Sequence, residues 1–127
     1  VDCSPANDIK GKQQLSGQLG EGTLIRIKDG TMILSPRFRD YLLELVDTFD
    51  IRSQYYISPG GTDGGEIHKA NKGVPTAVIG VCARYIHSTD AVFDIRDYYA
   101  ARELLKQAVS HLTNENILTL QFQSEEK

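Results

Sequence analysis

Three stretches of this sequence place metal-type or anion-type side chains at the ends of β-prone runs. They are Val1-Asp2-Cys3-Ser4-Pro5, Gly60-Gly61-Thr62-Asp63-Gly64-Gly65-Glu66-Ile67-His68 and Ala83-Arg84-Tyr85-Ile86-His87-Ser88-Thr89-Asp90. Open α/β sheets collect ligand sites at strand ends. A carboxylate ending one strand and an imidazole just past another are the donors that zinc and its neighbours accept. Asp2 and His87 fit that description. They have a plain structural reading too, Asp2 as the cap of a turn and His87 as a surface loop residue, and their separation carries no motif. The glycine stretch offers exposed amides at a helix start, where an anion is favoured, or it is simply a turn with Thr62 or Asp63 as N-cap. It matches neither GxxxxGK[ST] nor GxGxxG, and Asp63 would repel phosphate, which argues against a nucleotide site. His68 cannot share a helix face with Glu66 two residues earlier and reads as a helix surface residue. His111 reads as exposed or engaged with a helix C-terminus.

The elements that must position these residues follow from periodicity and turn chemistry. Val1 to Cys3 reads as the end of a strand, with Ser4 to Asp8 as a turn cluster. Lys10 to Gly22 reads as a surface loop. Thr23 to Lys28 is β-prone and stops at Asp29-Gly30. Ser35-Pro36 offers an N-cap and a first-turn proline, and Phe38, Tyr41, Leu42, Leu45, Val46 and Phe49 recur at helical spacing, which predicts a helix from Pro36 to Phe49. Ser53 to Ile57 reads as a short strand. A helix is expected from Thr62 or Asp63 to Asn71. Thr76 to Cys82 is a continuous apolar run, as a central strand buried on both faces requires. Asp94 or Asp97 begins a long amphipathic helix reaching Leu112. Ile117 to Phe122 reads as an edge strand or a helix-packed tail, and Gln123 to Lys127 as a solvated end. The alternation predicts a three-layer α/β arrangement in one domain over 1–127.

Bulk properties narrow the function. With 40% hydrophobic and 24% charged residues the chain has globular composition. A net charge of -3 without a Lys/Arg run argues against nucleic acid and anionic membrane as partners. No apolar stretch reaches the roughly 20 residues of a membrane helix, and no signal-type start is present, which makes cytoplasmic the expected location. Cys3 and Cys82 are too few for a disulfide framework and read as buried, packed thiols. The opening Val1-Asp2-Cys3 looks like the end of a core strand, so a fragment or processed chain is expected.

The stretch from Gly60 to Ser88, GGTDGGEIHKANKGVPTAVIGVCARYIHS, resembles a segment of the cytosolic di-metal aminopeptidases that include glutamyl aminopeptidase and the tetrahedral aminopeptidases, some of whose relatives carry endoglucanase labels. Val1 to Pro5 and Asp97 with its helix fall where that family has corresponding pieces. The resemblance implies the C-terminal portion of a metallopeptidase catalytic domain with a mixed, mostly parallel sheet. It implies two divalent ions in the complete enzyme, zinc or cobalt, with Asp2 and His87 as one ligand for each. Gly61, Thr62 and Asp63 would then line the substrate side. Arg84 would either serve an acidic pocket or pair with a carboxylate to hold its loop. No catalytic base is visible in the sequence. The base and the other ligands would come from the missing N-terminal half, with a peptide as substrate and a homo-oligomer as the complete assembly. The competing reading is a noncatalytic α/β assembly module. A glycosidase is disfavoured because no flanking carboxylate pair can be argued.

Overall fold

In the computed structural model, which describes residues 1–9, 11 and 15–121, the elements run β1 (Asp2–Pro5), β2 (Thr23–Lys28), α1 (Pro36–Thr48), β3 (Ser53–Ile57), α2 (Asp63–Lys69), β4 (Ile79–Arg84), β5 (Val92–Phe93), α3 (Ile95–Ser110) and α4 (Asn114–Gln121). The local signals for α1 act as written. Ser35 Oγ accepts the Phe38 N–H at 3.3 Å, Pro36 opens the first turn, and Leu42 and Leu45 are buried on the inner face. Asp94, not Asp97, is the N-cap of α3, accepting the Arg96 N–H at 2.8 Å.

The sheet has the order β1-β4-β2-β3, with β5 on β4. The β1/β4 and β2/β3 ladders are parallel and the longer ones; the antiparallel β2/β4 and β4/β5 ladders hold two residue pairs each. The sheet is therefore mixed and mostly parallel, and β4 is central, as its apolar run demands. One sheet face carries Ile25 and Ile79 and meets α1 and α3 through Leu42, Leu45, Ala101 and Leu104. On the other face Leu24, Tyr56 and Cys82 are covered by Ala6 and Leu19 of the segment after β1. Among the described residues the helical layer thus lies on one face, and a loop closes the other.

That loop is fastened by a buried carboxylate. Asp97, fully enclosed at the start of α3, accepts the Gly20 and Gly22 N–H groups at 2.8 Å each. Burial pushes its carboxyl above the ordinary aspartate range, and the two amides only partly offset this. Gly22 has φ +95, and a Cβ there would stand 2.2 Å from the Arg52 carbonyl oxygen, so the chain passes β3 at a distance that only glycine allows.

Several boundaries differ from the sequence reading. β1 continues to Pro5, because parallel pairing with β4 extends from Asp2↔Gly80 to Pro5↔Ala83 and overrides the turn residues. The ladder of β4 covers Ile79–Arg84; Thr76 to Val78 stay outside it. β5 was too short to carry a pattern. Ile117 to Gln121 are helical, within α4, which contacts α1, so the helix-packed alternative holds for them. Cys3 is exposed, since β1 is an edge strand, while Cys82 is buried as expected. The expectations for Lys10, Lys12 to Gln14, Phe122 and the end at 123–127 fall outside the described residues.

Candidate functional site

Strand ends and the loops beyond them create two adjoining cavities. One, of about 360 Å³, has Asp2, Arg26, Gly61 and His87 in its wall. The other, of about 460 Å³, is lined by Asp2, Gly61, Thr62, Asp63 and Thr76 among others. Asp2 and Gly61 belong to both. Five of the residues singled out by sequence are therefore brought together although the chain separates them by up to 85 positions.

Asp2 sits at the first position of β1 with its side chain 47% exposed. One carboxylate oxygen accepts the Cys3 N–H at 2.8 Å, and the other lies 4.0 Å from Arg26 Nη2. His87 projects from the loop that leaves β4. Tyr85 and His87 both adopt left-handed backbone, φ +62 and +63. The Ser88 hydroxyl, in contact with the carbonyls of Tyr85 at 2.5 Å and Asp90 at 2.8 Å, holds this turn. Non-glycine residues in that region cost about 1–3 kcal/mol each and persist where the surroundings impose them, often at functional sites.

The glycine stretch is shaped by close packing. Thr62 is the N-cap of α2, its hydroxyl accepting the Gly64 N–H at 3.2 Å. A Cβ on Gly65 would stand 2.1 Å from Thr31 Oγ1. The glycines let α2 press against the turn at residue 31, and Asp63 in the first turn faces the larger cavity. His68 is held by its Nδ1 at 3.1 Å from the Val74 carbonyl, in keeping with a structural role. His111 caps the end of α3 with Nδ1 3.0 Å from the Gln107 carbonyl.

Arg84 is engaged with a carboxylate. Its Nε donates to Asp8 at 2.8 Å, and it lines neither cavity. The hydrogen bond from Arg84, together with the Leu19 N–H, holds the Asp8 carboxyl below the ordinary aspartate range against the effect of burial.

The basic residue of the site is one that sequence reasoning passed over. Arg26 is 3% exposed in the middle of β2. Its Nη2 donates to Ser4 Oγ at 2.7 Å, and its Nη1 donates to Asp29 at 3.0 Å and to the Gly60 carbonyl at 3.2 Å. Its guanidinium carbon lies 5.7 Å from the Tyr56 ring centroid. Among the described residues its Nε is buried with no hydrogen-bond partner, a donor whose burial costs about 1–3 kcal/mol unless a ligand or water takes it. Burial acts to raise the Asp29 carboxyl, but Thr31, Arg26 and the Met32 N–H outweigh it and hold the group low and ionised. The signal was the alternation of β2: Leu24 and Arg26 share a face, so a charge stands where an inward residue belongs.

Residues 1–104, from β1 into α3, match the M42 glutamyl aminopeptidase family. The chain belongs to this family. It is 42% identical over 117 residues to a glutamyl aminopeptidase of Lactococcus lactis, covering 92% of this chain and 32% of that protein. Among solved structures, an aminopeptidase from the archaeon Desulfurococcus kamchatkensis superposes with TM-score 0.87 at 30% identity over 98% of this chain and 36% of that one. A TET aminopeptidase from a marine-sediment thaumarchaeon gives TM-score 0.87 at 26% identity over 93% of this chain and 34% of that one. The chain thus spans about a third of the length of the M42 relatives it matches.

The donor set fits part of a divalent metal site. An accessible carboxylate and an imidazole share one cavity, and the positive charge of Arg26 beside Asp2 is balanced by Asp29. Among the described residues no group of three or more His, Cys, Asp or Glu side chains could hold an ion alone.

Proposed function

We propose that the whole protein is a metal-dependent aminopeptidase that removes acidic residues from the N-termini of peptides, and that this chain supplies the Asp2, His87 and Arg26 wall of its active site. The observation that carries the reading is the shared cavity of Asp2, His87 and Arg26 in a chain of this family. Asp2 and His87 are assigned as metal ligands, one for each of two ions of the zinc or cobalt type. When bound, the metals would supply an activated water and polarise the scissile carbonyl.

The other roles belong to the chain itself. Gly61, Thr62 and Asp63 form the substrate side of the larger cavity, where the peptide beyond the first residue would lie. Arg26 supplies a buried cationic wall for the acidic side chain, fixed in place by Asp29 and Ser4. A guanidinium suits a carboxylate through paired N–H donors. Arg84 stands at the end of β4 beside the site, with its charge committed to Asp8. The remaining ligands and the general base are assigned to the rest of the M42 domain, and a cytoplasmic homo-oligomer is part of the same proposal.

The test uses the whole protein. Chelation should abolish hydrolysis of glutamyl substrates, and zinc or cobalt should restore it. Asp2→Asn and His87→Ala should each cut kcat by about 100-fold or more and weaken metal retention, in line with the large effect of losing an inner ligand. The 127-residue chain by itself should bind metal weakly and hydrolyse nothing. Full activity in either variant would sink the assignment, and a whole protein that neither binds metal nor cleaves peptides would be the noncatalytic assembly module instead.

A further inference from the structure

We propose that a third cavity, beside the two already described, binds the C-terminal carboxylate of a short peptide substrate and makes the protein favour tripeptides with a free acid end. This deepens the aminopeptidase reading, on which it rests, by naming where the far end of the substrate lies. The cavity, of about 520 Å³, is enclosed by the first turn of α1, the segment from Lys72 to Thr76 after α2, and Leu120 of α4. Its volume is that of a small-ligand site.

Thr76 joins this cavity to the substrate side. It lines both this one and the 460 Å³ cavity of Asp2, Gly61, Thr62 and Asp63. Asp2 and Gly61 continue in turn into the cavity of Arg26 and His87. The three cavities therefore form a row, with room for the first residue of a peptide at Arg26, the second along Gly61 to Asp63 and the third beyond Thr76. The wall between offers backbone as well. Pairing of β2 with β4 ends where the Arg26 N–H donates to the Val78 carbonyl at 3.2 Å, and the N–H groups of Thr76 and Ala77 have no partner among the described residues. An extended peptide lying there can take them as an added strand would.

The charges run in the matching direction. Among the described residues the wall of the third cavity holds Arg37, His68 and Lys72 and no carboxylate, whereas Asp2 and Asp63 stand in the cavities before it. Lys69 and Lys106 each pair with a glutamate one turn away, but Lys72 meets no carboxylate among the described residues. Arg37 is held at the wall by donating Nη1 to the Thr119 carbonyl at 2.9 Å. The first turn of α1 adds the positive end of its dipole. A carboxylate entering here gains charge-assisted hydrogen bonds.

The segment that presents Lys72 is fixed before any ligand arrives. Asn71 and Gly73 take left-handed backbone, φ +53 and +97. The Gly73 N–H donates to the Ala70 carbonyl at 2.9 Å and the Val74 N–H to the His68 carbonyl at 3.1 Å. The Val74 carbonyl accepts the Thr76 hydroxyl at 2.9 Å, with His68 Nδ1 at 3.1 Å. A preset loop loses little freedom on binding.

The test compares Glu-Ala-Ala with its C-terminal amide as substrates of the whole protein. The free acid should show a KM about 10-fold lower at the same kcat, because the carboxylate contact is equally present before and during the chemical step. Lys72→Met should bring the two KM values within about two-fold of each other, and Lys72→Arg should keep most of the gap. A lysine that only supported the fold would shift both substrates together. Two further alanines before the free acid should erase the advantage, since the carboxylate then lies past the cavity. Binding is read separately on the 127-residue chain by nuclear magnetic resonance. Acetyl-Ala-Ala-Ala, which has no free amine to be cut, should shift the amide resonances of Gly73, Val74 and Thr76, and its C-terminal amide should not. Equal KM values for acid and amide, or shifts that are absent or shared by the two ligands, would overturn the proposal. Shifts with the acid alone, in a whole protein that cuts neither substrate, would end the aminopeptidase reading and leave the carboxylate site standing.

Discussion

Replacing Arg26 by Met should both loosen the fold and remove the selectivity of the site. Arg26 makes three hydrogen bonds, buried ones to Ser4 and Asp29 and a half-buried one to Gly60, and the Asp29 bond is also an ion pair. Removing one member of a buried pair costs about 3–5 kcal/mol because the other charge is stranded. Asp29 is better protected than most stranded partners. Its other oxygen accepts the Thr31 N–H and hydroxyl at 2.7 Å and the Met32 N–H at 2.9 Å. The methionine stem also retains part of the contact with Tyr56. Both points favour the low end, about 3 kcal/mol, which for a domain of this size is a fall of roughly 10 °C in melting temperature.

Calorimetry on the 127-residue chain measures this directly. A companion variant sharpens it: Arg26→Met with Asp29→Asn should recover about half of the loss, since no charge is then stranded and the amide oxygen can still accept the Thr31 and Met32 N–H groups. In the whole protein, Arg26→Met should lower kcat/KM for a glutamyl substrate by about 10–100-fold, the loss of a charged hydrogen bond, while leaving a leucyl substrate nearly unchanged. A melting temperature within 2 °C of the parent, or a double variant no better than the single one, would refute the idea that Arg26 ties Ser4, Asp29 and the Gly60 loop together. An equal loss on both substrates would refute its role in selectivity.

Gly22→Ala should cost about 3 kcal/mol or more, because the left-handed backbone and the Arg52 carbonyl oppose the methyl group together; a melt unchanged from the parent would contradict the packing of that loop. Asp8→Asn should cost about 1 kcal/mol at neutral pH, where the Asp8 to Arg84 bond is intact. The folded state holds the Asp8 carboxyl low, so the unfolded chain binds the proton first, and the parent's advantage should vanish as pH falls from about 4 through the folded-state value. A difference that persists in acid would reject this linkage. Burial pushes the Cys82 thiol up to about 12, so at pH 8 iodoacetamide should label exposed Cys3 in the native chain and reach Cys82 only on unfolding; comparable labelling of both, read by mass spectrometry, would be evidence against the enclosed position of Cys82.

Much of this architecture was legible in the sequence, because its causes are local. Ser35-Pro36 with helical spacing set α1, Thr23 to Lys28 ended at Asp29-Gly30, and Thr62 announced the start of α2. The stretch from Gly60 to Ser88 also carried the family. What pairing decides was not legible: β1 runs through Pro5, β4 is displaced toward Arg84 and β5 exists at all because partner strands supply their hydrogen bonds. The same holds for the site. Asp2 and His87 could be named from residue type and resemblance, but their common cavity is a tertiary product: the parallel ladder sets Asp2 beside Gly80 at the start of β4, and His87 reaches the same cavity through the left-handed turn after the strand's other end. Arg84 and Arg26 are equally basic on paper. The register that sets Asp8 against the first and leaves the second enclosed beside Asp2 is long-range, and a linear chain does not display the distances on which charge and desolvation depend.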